Sequence, residues 1–257
     1  MSRIPEGETR ICVDDDTRLL LQHRYNIVQA HGMHFLQGIG ATDESRLLLG
    51  KTTPIVGRER EVGHLVDMLE EGFEDRTSQA VLVVAPAGVG KSRFRQEVLR
   101  RLREHNPGLA SEVGRADVLG NAGSYSLIAY MLRQALGIQV GEPIEAQQAK
   151  VAQLMNLVLA PEVAPRVTEF MCELVGAPFP DERSIRLRAA RQDAQIMASQ
   201  IETAYVDLIR SLAQRNPVII IVEDLHWADA ASVKLLDTVL ERVDQEFPVF
   251  SGPSGGV

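Results

Sequence analysis

The stretch that decides the fold is Ala80-Val81-Leu82-Val83-Val84-Ala85-Pro86-Ala87-Gly88-Val89-Gly90-Lys91-Ser92. An apolar run leads into a loop with two glycines and Lys-Ser, and a helical pattern opens at Arg93. Strand, glycine-rich turn, Lys-Ser and helix in that order is the context a phosphate-binding loop requires. The backbone N–H groups of such a loop, with the positive end of the helix behind it, cradle phosphate oxygens. Lys91 is then placed to reach β- and γ-phosphates, and the Ser92 hydroxyl to ligate Mg2+. One position departs from the strict pattern, since Ala85 stands where the first glycine belongs. A small residue can turn there if its φ stays negative, and Gly88 and Gly90, nearest the phosphates, are kept.

A second anchor is Pro217-Val218-Ile219-Ile220-Ile221-Val222-Glu223-Asp224. Five consecutive apolar β-branched residues predict a strand buried on both faces of a parallel sheet. Two carboxylates close it, at the end of the strand where open α/β sheets place their ligands. An acidic pair at a strand end is common by itself. With a phosphate loop upstream it reads as the Walker B pattern, one carboxylate holding Mg2+ and the other polarising the attacking water. Leu225-His226-Trp227-Ala228-Asp229 follows, then an amphipathic helix through Val233, Leu236, Val239 and Leu240, with Asp229 placed as its N-cap. His226 and Trp227 either face the nucleotide or pack the turn.

A chain of 257 residues has room for one large α/β domain and a short appendage. Apolar residues at 45% and charged residues at 24% are ordinary for a soluble globular protein, and a formal charge of −8 argues against nonspecific nucleic-acid binding. Cys12 and Cys172 lie outside any CxxC spacing and read as reduced thiols of a cytoplasmic protein. No run of 18 apolar residues occurs, so a membrane span is not expected. Residues 1–50 carry three short candidate strands, at Ile11-Cys12-Val13, Tyr25-Asn26-Ile27-Val28 and Met33-His34-Phe35-Leu36. They read as the remnant of an upstream module or a flap. His31 and His34 have helical ligand spacing without a third ligand near them, and read as two ordinary histidines.

The main domain is expected over 51–250, entered extended at Pro54, with a flexible tail over 251–257. An amphipathic helix with Val62, Leu65, Val66 and Leu69 on one face follows Val56-Gly57-Arg58. The helix after Ser92 turns Phe94, Val98, Leu99 and Leu102 inward, and its arginines, Arg95 among them, read as a solvated face. Leu109 to Ala116 predicts a strand, Ser124 to Leu136 a helix, 145–176 a helical pattern interrupted at Pro161 and Pro165, and 184–214 a long, bent helix with Ile196, Ile201, Tyr205 and Leu208 inward.

Three features, "TPIVGRERE", "APAGVGKS" and "VIIIVEDLHWAD", occur in order. Together they resemble the ATPase module of the STAND branch of the AAA+ superfamily, as found beside serine/threonine kinase or nucleotide-cyclase domains in bacterial signalling proteins. The stretch "RAARQDAQIMASQIETAY" is similar to that subgroup too. The resemblance, spanning Thr52 to Val249, implies a three-layer α/β P-loop fold with a mainly parallel sheet of order 5-1-4-3-2. It also implies ATP and Mg2+ as ligands. By the same resemblance Val56, Gly57 and Arg58 lie against the adenine. Ala85, Pro86, Ala87, Gly88, Val89, Gly90, Lys91, Ser92 and Arg93 wrap the phosphates, while Ser92, Glu223 and Asp224 serve the metal. Relatives often carry two aspartates where this chain has Glu223-Asp224, which leaves open which one ligates and which orients water. Relatives also continue into a sensor strand, a helical lid and often a winged helix, and these are expected to be missing after Val249.

The function expected is an ATP-binding switch core working with other domains or partners of a signalling system, with weak or no hydrolysis. The alternatives are a nucleotide-binding module that never turns over, and a DNA-associated ATPase of the replication-initiator type. The acidic balance counts against the last.

Overall fold

The computed structural model describes residues 11–15, 17–18, 25–30, 33–39, 57–86, 88–116, 123–180, 182 and 184–243. The chain divides into two compact units, residues 1–55 and 56–257.

In the first unit, β1 (Ile11–Val13), β2 (Tyr25–Ala30) and β3 (Met33–Ile39) form an antiparallel sheet of order β1-β3-β2. The three candidate strands of the sequence are all present. Val28 pairs with Phe35, and the register slips between Asn26 and Ile27. His34 lies 3.3 Å from the Asp15 carboxylate, and His31 lies outside the described residues.

The second unit is three layers around a parallel pair of strands. In chain order it comprises α1 (Glu59–Asp75), α2 (Lys91–His105), β4 (Ala110–Arg115), α3 (Ser126–Ala135), α4 (Ile144–Val158), α5 (Ala164–Val175), α6 (Ile185–Gln192), α7 (Ala194–Ala213), β5 (Val218–Glu223), a 3-10 turn Leu225–Trp227 and α8 (Ala230–Arg242). β4 pairs in parallel with β5, setting Glu112 beside Ile220 and Gly114 beside Val222. All six residues of β5 are buried, as its unbroken apolar run requires. Side chains alternate across the strands. Val218, Ile220 and Val222 join the core made with α3, α5, α7 and α8. The other face meets α2, whose Arg103 donates from Nη2 to Ser111 Oγ at 2.6 Å. α1 packs on α2 through Val62, Leu65, Val66, Leu69 and Phe73.

Three expectations are adjusted and a fourth is met. Residues 80–84 form no strand, only an isolated bridge at Leu82, and Leu82 and Val84 are exposed. An apolar run becomes a strand only when a neighbour completes its hydrogen bonds, and that choice is tertiary. The helix expected over 184–214 is two helices, α6 and α7. Asp193 breaks the run by taking extended φ/ψ and capping α7, accepting from the N–H of Gln195 at 2.7 Å. Ile196 in its first turn is consequently turned outward, while Ile201, Tyr205 and Leu208 are buried. In α8 the buried face runs through Ser232, Leu235, Leu236 and Val239, so Val233 is exposed. The interruption expected at the two prolines is found between α4 and α5, with Pro165 in the first turn of α5, where its missing N–H costs nothing.

Candidate nucleotide site

The phosphate loop is held by backbone geometry that only its own residues permit. Gly88 and Gly90 have φ of 80° and 92°, the left-handed region, and Gly90 is the N-cap of α2. A Cβ on either would meet nothing within 4 Å, so it is the backbone conformation and not crowding that calls for glycine. Ala85 is not among the positive-φ residues, which is the condition its side chain imposes. Lys91 Nζ folds back over the loop and donates to Ala85 O at 2.9 Å and to Pro86 O at 3.4 Å. Pro86, Val89 and Ser92 are exposed and Arg93 is half-buried. Ala87 lies outside the described residues.

β5 delivers the two carboxylates to different environments. Glu223 is the last strand residue and is buried. Asp224 leaves the strand with φ of 55°, opening the 3-10 turn, and its side chain is one-third exposed. Each faces a guanidinium: Arg95 Nε lies 3.0 Å from Glu223 Oε1 in a buried ion pair, and Arg115 Nε lies 3.4 Å from Asp224 Oδ2 at the surface. Arg95 sits one turn after Lys91, so its contact ties the first turn of α2 to the end of β5. The bridge links the helix that follows the first motif to the strand that ends in the second. Gly57, with φ of 76°, and Arg58, the N-cap of α1, stand at the entry to the unit. Among the described residues no hydrogen bond or ion pair joins them to the loop, and Val56 lies outside those residues. His226 and Trp227 are both exposed and lie against each other with ring centroids 4.8 Å apart and planes tilted by 45°, so they do not pack into the turn.

Two ion pairs beside the candidate site, and a second role of Asp229, escaped the sequence reading. Arg95 is not part of a solvated face, although Arg100 and Arg101 of the same helix are. Those two pair with Glu97, whose carboxyl is held down at about 2 chiefly by Arg100. The available signal was its place in the apolar stripe Phe94, Val98, Leu99 and Leu102. Arg115 ends the strand predicted over Leu109 to Ala116, but its pairing with Asp224 joins residues that chain order does not bring together. Asp229 caps α8 as expected, but it also holds the start of α3 by accepting from the N–H groups of Tyr125 and Leu127.

The donor set fits a nucleotide with Mg2+: an ammonium, a hydroxyl, two carboxylates and the N-terminal turn of a helix. Among the described residues no group of three or more His, Cys, Asp or Glu side chains could form a cage for a metal. Mg2+ needs none, since it is usually held by one or two carboxylates together with substrate phosphates. Once bound it neutralises charge on the β- and γ-phosphates. Lys91 and Ser92 are the residues that would face those phosphates, with Glu223 and Asp224 on the strand side.

A loop of left-handed glycines capping a helix, its lysine folded across it, and a buried strand ending in paired carboxylates define a P-loop nucleotide-binding module of α/β fold. Residues 54–251 match the family model of the AAA ATPase domain, and the chain belongs to that family. A Rhizobium meliloti (strain 1021) protein described as uncharacterized is 25% identical over 260 residues, covering 93% of this chain and 23% of that protein. A hydroxyethylthiazole kinase of Haemophilus influenzae (strain 86-028NP) is 31% identical over 112 residues, 42% of this chain and 38% of the kinase. The chain thus spans well under half the length of either relative. Among the described residues no helix is long and apolar enough to cross a membrane.

Proposed function

We propose that this chain is the nucleotide-binding core of a signalling ATPase of the STAND type, in which ATP with Mg2+ sets the conformation read by other domains. The observation that supports the reading is the Arg95–Glu223 pair, which joins the helix behind the loop to the end of the carboxylate strand. In this reading Ala85 to Arg93 wrap the phosphates, and Val56, Gly57 and Arg58 serve the adenine. Ser92, Glu223 and Asp224 serve the metal, and Asp224, the more exposed carboxylate, orients water. Residues 1–50 belong to a separate module and residues 51–250 to the ATPase core, in a cytoplasmic protein. The match to a relative of which this chain spans 23% supports a place within a longer protein. The signalling role rests on the "TPIVGRERE" and "VIIIVEDLHWAD" stretches.

The test is titration of a fluorescent ATP analogue into the wild type and Lys91→Ala in the presence of Mg2+. A charge-assisted contact of this kind is worth roughly 1.5–3 kcal/mol, so the variant should bind about 10- to 100-fold more weakly. Equal affinities would overturn the assignment of the loop.

A further inference from the structure

We propose, on the reading of the site as one for ATP with Mg2+, that Arg95 is a positioning residue that holds the Glu223 carboxylate against α2 and competes with the metal for it. This chain therefore takes Mg2+ less tightly than its own carboxylates would allow.

Arg95 follows Lys91 by four residues and Ser92 by three, spacings that put all three on one side of the helix. It is 8% exposed, in the buried stripe of Phe94, Val98, Leu99 and Leu102. A guanidinium there is costly unless a buried counter-charge meets it, and Glu223, 9% exposed, is that charge at 3.0 Å. By strand alternation Glu223 shares the sheet face of Ile219 and Ile221, the face that Ser111 presents to Arg103 of α2. The carboxylate is thus directed at the helix that carries Lys91 and Ser92. Among the described residues other charged side chains of α2 meet different partners: Arg100 meets Glu97 and Glu104, Arg101 meets Glu97, Arg103 meets Ser111 and His105 meets Glu70.

Two cations close to one carboxylate repel each other, most strongly where water is scarce. A divalent ion that uses Glu223 must share it with, or take it from, Arg95. Neutralising position 95 leaves a buried carboxylate without its partner, and its demand for a cation passes to the metal. A residue that served only to hold α2 on β5 would give the opposite result, since loosening the site weakens metal binding.

The experiment holds a fluorescent ATP analogue at fixed concentration and titrates MgCl2 while reading anisotropy, in wild type, Arg95→Met, Arg95→Gln, Arg95→Lys and the double variant Arg95→Met with Glu223→Gln. Arg95→Met and Arg95→Gln should reach half-saturation at roughly tenfold lower Mg2+ than wild type, the size of one contact to a charged group. Arg95→Lys, which keeps the charge, should stay within about twofold of wild type. In the Glu223→Gln background Arg95→Met should have no further effect. Circular dichroism identifies the folded variants, and Arg95→Gln, which keeps a polar head, carries the test if Arg95→Met does not fold. An unchanged or higher Mg2+ requirement in a folded neutral variant overturns the proposal, as does a tenfold shift in Arg95→Lys. Wild type that binds no analogue at any Mg2+ concentration overturns the reading of the site instead.

Discussion

The Asp229 carboxylate accepts a hydrogen bond from Ser126 Oγ at 2.9 Å, joining two helix starts 103 residues apart. The same side chain caps α8 by accepting from the N–H of Ser232 at 2.9 Å and its hydroxyl at 2.7 Å. It also takes the N–H groups of Tyr125 and Leu127 at the head of α3. Burial alone would raise this carboxyl, but the hydrogen bonds from Ser232, Leu127 and Tyr125 outweigh it and hold it below its ordinary range. Two positive helix ends add to the preference for a negative charge. Asp229→Ala removes the caps of both helices and should cost about 2–4 kcal/mol, twice an ordinary cap. Urea unfolding should show a lowered midpoint with an unchanged slope. Because the folded carboxyl is depressed, its contribution is present above the unfolded value near 3.8 and lost as pH falls through the folded one.

Glu112 of β4 behaves in the opposite sense. Its pairing with Ile220 turns it toward the helical core rather than toward α2, and burial pushes its carboxyl up to about 7 from 4.5. Tyr205 of α7 lies close enough that Glu112 adds to the upward shift burial gives its phenol. A raised carboxyl means the folded state binds the proton more tightly, so this contribution is full below 4.5 and is lost as pH rises to about 7. Discounted for partial exposure, the effect is on the order of 1–2 kcal/mol. Thermal melting at pH 5 and pH 8 should show the wild type losing more stability than Glu112→Gln over that interval. Parallel losses in the two proteins would place the pH dependence elsewhere.

Two glycines should fail for different reasons when changed to alanine. Gly90 has open space for a Cβ but a φ of 92°, so Gly90→Ala strains the loop by roughly 1–2 kcal/mol. It should weaken binding of the ATP analogue more than it lowers the melting temperature. Gly114 has no positive φ, but a Cβ there would come within 2.4 Å of Met131 Sδ and 2.9 Å of Leu127 Cδ1. Gly114→Ala should cost about 1–3 kcal/mol of stability by overpacking α3 against β4. Its nucleotide affinity, measured well below the melting temperature, should stay near that of wild type.

ATP should bind to this chain more readily than it is turned over. Hydrolysis depends on positioning and charge stabilisation around the γ-phosphate. Both carboxylates that could serve it face arginines, Glu223 to Arg95 and Asp224 to Arg115. Steady-state phosphate release should fall below roughly 1 s⁻¹, the low end of ordinary enzymes, and Asp224→Asn should remove what remains. Faster turnover that Asp224→Asn abolishes would show a site already complete for catalysis.

What could be read along the chain is whatever neighbouring residues decide among themselves. Gly88 and Gly90 announce left-handed turns because no other residue takes that conformation cheaply. The six-residue strand β5 is legible because an unbroken β-branched run has nowhere to go but a buried sheet. Asp229 as the cap of α8, the break between α4 and α5 near Pro165, and the inward faces of α1 and α2 are equally local. Relations between distant segments were not available in that way. The run 80–84 has the composition of a strand, yet a strand exists only where a second segment supplies hydrogen-bond partners. Arg95 has the look of one more surface charge until Glu223, far along the chain, is folded against it. Asp229 announces one helix cap, and the arrival of Tyr125, Ser126 and Leu127 makes it the cap of two. Glu112 has its carboxyl pushed up only because folding buries it. The sequence by itself determined the glycine turns of the loop, the buried strand β5 and the chemical inventory of a phosphate-binding module. Only the tertiary structure decided which charge meets which, because burial and ion pairing depend on distances that chain order does not set.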